Sequence, residues 1–207
     1  MAEHVPVALI ADVIGSRSQG DRAEVQRAVE AVLDRVAEAV PPAAPFRATA
    51  GDELQAVFTS RNEALRATLF AGLLSQEGPQ LRFGLGEGFV GSVPSSTSEH
   101  IEDGPGWWHA REAVETAESR QRRLPFLRSW YVSGDPEPDA AVNAYLLARD
   151  QLLDGLSVRA RDYARGVAQG GSQKAVAAEY GVSQPAVSKL LRDSGATAIL
   201  EGLRLLG

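Results

Sequence analysis

The chain has 207 residues, 44 % of them hydrophobic and 23 % charged, with no cysteine and a formal net charge of −6 at pH 7. That composition is ordinary for a globular protein, excludes disulfides and thiolate metal sites, and leaves no apolar run near the ~18 residues a membrane-spanning helix needs. The start, Met1-Ala2-Glu3-His4, has neither the basic cluster nor the apolar stretch of a signal peptide, so a cytoplasmic protein with no membrane partner is expected.

Val5–Ala11 is a short apolar, β-favouring run ending at Asp12, and reads as a buried strand. Over Asp21–Val40, Val25, Val29, Val32, Val36 and Val40 recur at spacings of three and four, one face of a helix stopped by Pro41-Pro42. Phe46–Ala50 and Leu54–Phe58 are two short strands around a Gly51-Asp52 turn. Arg61–Ser75 is a second helix and Leu81–Val90 a further strand, followed by a Ser/Thr-rich loop at Pro94–Ser98. Gly106–Arg122 reads as a helix, Leu127–Val132 as a strand and Asp139–Leu153 as a helix. The first six elements run β-α-β-β-α-β, the split βαβ or ferredoxin-like arrangement, with an antiparallel sheet and its helices on one face. The expected class is α+β: a ferredoxin-like domain over residues 1–155, then an all-α domain over residues 156–207, with the boundary near Gly155–Ser157.

That second segment carries the clearest motif. From Ser172 to Arg192 a capping Ser, small and apolar residues, Gly181, Val182, a second capping residue Ser183 and then Pro185 follow in the order of a helix-turn-helix. Ala175, Val176 and Tyr180 are expected to bury one face of its first helix, and Ala186, Val187, Leu190 and Leu191 that of the second. Ser183, Gln184, Ser188, Lys189 and Arg192 are left on the outer side as candidate DNA-binding residues, with Gln184 and Ser188 as base readers and Lys189 and Arg192 as phosphate or guanine contacts. Charge distribution agrees: residues 1–156 carry 14 basic against 23 acidic side chains, residues 157–207 seven against four. A helical hairpin that only packs against the body is the structural alternative. Ala196–Leu206, with Ile199, Leu200, Leu203 and Leu206 on one face, is a candidate homodimer contact.

Two carboxylate motifs stand out in the first segment, Asp12-Val13-Ile14-Gly15-Ser16-Arg17 and Gly51-Asp52-Glu53. In a βαββαβ sheet the end of strand one lies beside the start of strand three, so Asp12 and Asp52 are expected to converge. Two adjacent carboxylates need a proton or cation between them, and oxygen-only donors favour Mg²⁺ or Mn²⁺. Gly15, Ser16 and Arg17 are then candidates to meet the phosphates of a nucleotide. The structural alternative makes Asp12 a strand-end cap and Asp52 an ordinary turn residue.

Ala11–Ser16, Gly51-Asp52 and Phe83-Gly84-Leu85-Gly86 resemble the metal-binding aspartate motifs and following strand of class III nucleotidyl cyclases, a palm-type fold. The resemblance implies a metal–nucleotide site, with departures: Ala48 stands where a cyclase carries its base-reading Lys. Trp108 and Glu112 stand where it carries the transition-state Asn and Arg, and His109 and Arg111 are the nearby substitutes. Over nearly the whole chain, Asp12–Arg17, Gly51–Glu53, Gly104–Glu112 and the terminal helix-turn-helix resemble the bacterial SatD family. Three readings follow: a DNA-binding regulator with a nucleotide-sensing domain, a divergent Mg-dependent nucleotidyl cyclase or phosphotransferase, and a structural dimeric adaptor.

Overall fold

The computed structural model describes residues 5–15, 21–49, 53–74, 78–93 and 101–206. Five strands form one sheet: β1 (Val7–Val13), β2 (Ala44–Ala48), β3 (Leu54–Phe58), β4 (Leu81–Glu87) and β7 (Ser129–Val132), in the order β2-β3-β1-β4-β7. A short ribbon, β5 (Gly91–Val93) and β6 (Ile101–Asp103), stands apart. β1 is central and antiparallel to both neighbours, Ala11 pairing with Leu54 on β3 and Asp12 with Arg82 on β4. With α1 (Arg22–Ala39) and α2 (Arg61–Leu74), the order and direction of β1 to β4 are those of the split βαβ arrangement. β7 adds a parallel strand outside β4.

Strand alternation sorts the two faces of β1. Val7, Leu9, Ala11 and Val13 join the large core with α1 and α2, where Val29, Val32, Leu33 and Val36 of α1 are buried. Asp21 caps α1, its carboxylate accepting from the Ala23 amide at 2.9 Å. Ala8 and Ile10 face the other way, against Trp107, Ala110 and Val114 of α3 (Pro105–Gln121). α1 and α2 thus share one face, as expected of the first six elements, and α3 covers the other. The reason lies in Gly84 and Gly86, which leave β4 bare on this side. A Cβ at Gly84 would sit 2.3 Å from the Ala110 carbonyl oxygen, and one at Gly86 2.1 Å from that of Gly106. Helix backbone lies directly on strand backbone here.

α4 (Pro136–Asp154) covers the outer edge of β7 and satisfies its polar groups from the side. The Asn143 amide accepts from the Tyr131 N–H at 2.9 Å and donates to its carbonyl at 2.7 Å, while Asp150 accepts from the Arg128 and Ser129 amides. Arg149 and Asp150 form a buried ion pair at 2.8 Å.

Four helices follow: α5 (Val158–Ala168), α6 (Gln173–Glu179), α7 (Gln184–Asp193) and α8 (Ala196–Leu206). α5 and α8 pack on α2, and α8 also packs on α4. Apolar contact continues without a break from the sheet through α2 and α4 into α5, α7 and α8. Ile199 and Leu203, the α8 stripe expected to meet a second chain, are buried in this chain's own core, and the Tyr145 hydroxyl donates to the Ile199 carbonyl at 3.0 Å. Leu200 and Leu206, the rest of that stripe, stay half-buried. No helix among the described residues is long and apolar enough to cross a membrane.

Candidate functional site

α6 and α7 are joined by a tight turn whose residues each have a structural task. Ser172 caps α6 by accepting from the Ala175 amide at 3.1 Å, and Ser183 caps α7 by accepting from Ala186 at 3.4 Å. Gly181 has φ 64°, with its amide on Ala178 and the Val182 amide on the Ala177 carbonyl, the paired bonds of a Schellman stop. Val176 and Ala177 bury the inner side of α6, and Val187 and Leu191 that of α7. Ala175 and Ala186, expected inside, are exposed, and Tyr180 stays at the margin, edge-on to Tyr163 with ring centroids 5.2 Å apart. The cause is a close approach of α5, since a Cβ on Gly166 would lie 2.8 Å from Val176. Val176, not Ala175, thereby faces inward.

The outer side of α7 is open. Ser183, Gln184, Pro185, Ala186, Lys189 and Arg192 are exposed and Ser188 is half-buried. Gln184 donates its amide N–H to Gln173 on α6 at 2.9 Å. Lys189 pairs with Asp193 one turn on, and Arg192 lies 3.6 Å from the same carboxylate. The Lys189 hydrogen bond holds the exposed Asp193 carboxyl below its ordinary range.

The second cluster lies under α3. Asp12 shares the α3 face of β1 with Ala8 and Ile10, and its Oδ2 accepts from the Arg82 guanidinium at 2.6 Å. Arg82 is buried and held by Gln121 at 2.6 and 3.0 Å, with Glu118 at 3.6 Å. Glu53, just before β3, receives both arms of the Arg111 fork from α3 at 2.6 and 2.7 Å. The Glu53 hydrogen bond raises the pKa of Arg111, and Glu53, Glu115 and Asp12 add to it through their charge. Gly15 closes β1 with φ 73°. Ser16, Arg17 and Asp52 lie outside the described residues.

The positive charge beside Asp12 is thus an arginine from the neighbouring strand. Among the described residues no group of three or more His, Asp or Glu side chains is placed to hold a metal ion. Asp12 Oδ2 is engaged by Arg82, and Asp52, the other carboxylate of the expected metal pair, lies outside the described residues. Sequence reasoning missed Arg82 and the Glu53–Arg111 fork. The available signal was parity, since Arg82 shares its strand face with Gly84 and Gly86.

The model of the SatD family matches residues 6–202. This chain belongs to the SatD family. No curated protein matches it. Among solved structures, the SatD-family chain is similar to a bacterial light-regulated adenylyl cyclase at 17 % identity, over 58 % of this chain and 71 % of that one, with a TM-score of 0.43. It is similar to the adenylyl cyclase CyaB from P. aeruginosa at 12 % identity, over 56 % and 80 %, with a TM-score of 0.38. The catalytic core of a rhodopsin-guanylyl cyclase with converted specificity, in complex with ATPalphaS, matches at 16 % identity, over 60 % and 85 %, with a TM-score of 0.40.

A third polar cluster of the SatD-family chain sits where β4 and β7 end. Glu87 accepts both arms of Arg61, at 2.8 and 3.2 Å, and the Tyr131 hydroxyl at 2.5 Å. Burial pushes the Tyr131 hydroxyl well above its ordinary range, and Glu87 adds to the rise. Burial also acts to raise Glu87, but the bonds from Arg61 and Tyr131 outweigh it and leave that carboxyl low. His109 Nδ1 lies 2.8 Å from the Glu87 carbonyl oxygen, fixing α3 to the strand end.

Proposed function

We propose that this SatD-family chain is a cytoplasmic DNA-binding protein, with residues 156–207 acting as a helix-turn-helix domain on the α+β body of residues 1–155. The observation that carries the reading is the outward side of α7, exposed from Ser183 to Ala186 and again at Lys189 and Arg192 while Val187 and Leu191 anchor the helix. A second helix presented this way enters the major groove with its N-terminal residues toward base edges. Gln184 and Ser188 are assigned to base contact, and Lys189 and Arg192 to phosphate, exchanging Asp193 for the backbone charge. The Ser183 cap fixes the angle at which α7 leaves the turn.

Enrichment of duplexes from a randomised pool tests this. Recovery of a shared motif by the wild type, lost by Gln184→Ala, supports base reading by α7. Enrichment no better than that of an unrelated acidic protein contradicts it.

The convergence of Asp12, Glu53 and Arg111 under α3 favours a second reading, binding of a nucleoside triphosphate at the β1–β3 end as in a divergent nucleotidyl cyclase or phosphotransferase. This reading takes Asp52, outside the described residues, as its second carboxylate. Titration with ATP and GTP, with and without Mg²⁺ or Mn²⁺, separates the two. Metal-dependent heat that disappears in Asp52→Ala supports a nucleotide site, and the absence of heat under every condition removes it.

A further inference from the structure

A groove of about 670 Å³ runs between α2 of the body and the α5, α7 and α8 helices. That volume falls in the ~300–1,000 Å³ range of small-molecule pockets, which favour junctions between structural units. Its floor is apolar, with Phe70 from α2, Leu191 from α7 and Leu200 and Leu203 from α8. Its rim is polar and unevenly charged. Arg204 is neutralised by Glu201 at 2.6 Å. Arg66, also on the rim, has no hydrogen-bond or ion-pair partner among the described residues. Gln173 lines the same groove and accepts the amide of Gln184, the first residue of α7.

We infer that this groove binds a small amphipathic carboxylate, an aryl or alkyl body on the leucine floor with its single negative charge at Arg66. Apolar burial supplies the affinity. One anionic head matches one unbalanced guanidinium, so the uncharged amide of the same ligand binds more weakly. A ligand accepting from the Gln173 N–H groups also fixes the amide that holds Gln184. Resting on the DNA reading of α7, occupancy therefore weakens DNA binding by keeping Gln184 turned toward α6.

The probe is 4-phenylbutyrate, titrated calorimetrically at millimolar concentration into the full chain beside its neutral amide. The carboxylate should bind several-fold more tightly than the amide. Arg66→Gln, an exposed change, should remove that preference, and Thr197→Phe, which fills the groove from α8, should abolish both. No heat from either probe, or binding indifferent to both substitutions, overturns the site. The DNA arm is separate: bound probe that leaves DNA affinity unchanged overturns the link to Gln184, whereas a protein that binds no DNA but shows the Arg66-dependent heat fails only the reading of α7.

Discussion

Replacing Arg149 by Met removes the charge at the centre of the α4 contact. Arg149 is 1 % exposed, and its guanidinium donates to Asp150 at 2.8 and 3.0 Å, to Ser129 at 2.7 Å and to Thr68 at 2.9 Å, tying α4 to β7 and α2. Methionine keeps most of the apolar volume but leaves the Asp150 carboxylate buried with only two backbone N–H groups, from Arg128 and Ser129. Breaking one side of a buried pair costs about 3–5 kcal/mol, because the remaining charge is uncompensated. For a chain of this size that lowers the melting temperature by roughly 6–20 °C. Urea unfolding followed by circular dichroism gives the free energy directly. The double change Arg149→Met with Asp150→Asn should recover at least ~1 kcal/mol, because the orphaned charge is gone. A single variant within ~1 kcal/mol of wild type, or a double variant that is simply the sum of two losses, would refute the claim that this pair is electrostatically coupled.

Two glycine changes separate steric from backbone costs. Gly84→Ala puts a methyl group 2.3 Å from the Ala110 carbonyl and must displace α3, so a loss above about 3 kcal/mol is expected in the same unfolding assay. Gly181→Ala meets nothing within 4 Å and is strained only by φ 64°, so about 1–2 kcal/mol is expected, with the fold retained in the circular dichroism spectrum. Arg61→Gln should show a pH signature. Because Glu87 is held low in the folded chain, its contribution is present above the ordinary carboxylate pKa of 4.5 and is lost as pH falls through the lowered value. The stability gap between wild type and variant should therefore be largest near neutrality and shrink on acidification below about pH 4, and a gap independent of pH contradicts the assignment.

The elements legible in the sequence are those coded by local rules. The valine spacing of α1, the buried run of β1 and the caps and glycine of the α6–α7 turn each act within a few residues, and the structure places them close to where they were read. β1 and β4 acquire their partners through the connectivity rule of the split βαβ unit, which is also local in logic. What the sequence concealed depends on distant pairing. Arg82 neutralises Asp12 across a 70-residue separation, and the Glu53–Arg111 fork spans 58. Gly84 and Gly86 of β4 are the bed for α3, a role set by a helix further along the chain that begins only at Pro105. α8 showed an apolar stripe, but periodicity cannot say whether such a stripe meets a second copy or the chain's own α4 and α5.

The central claim, that α7 reads DNA, is tested most directly by fluorescence anisotropy of an enriched duplex and a scrambled one across a series of salt concentrations. The wild type should bind the enriched duplex at least tenfold more tightly. Gln184→Ala should narrow that ratio, whereas Lys189→Ala should weaken both duplexes alike and reduce the slope of log K against log salt by about one. Equal affinity for the two duplexes, unchanged by either substitution, would contradict a DNA-reading role for α7.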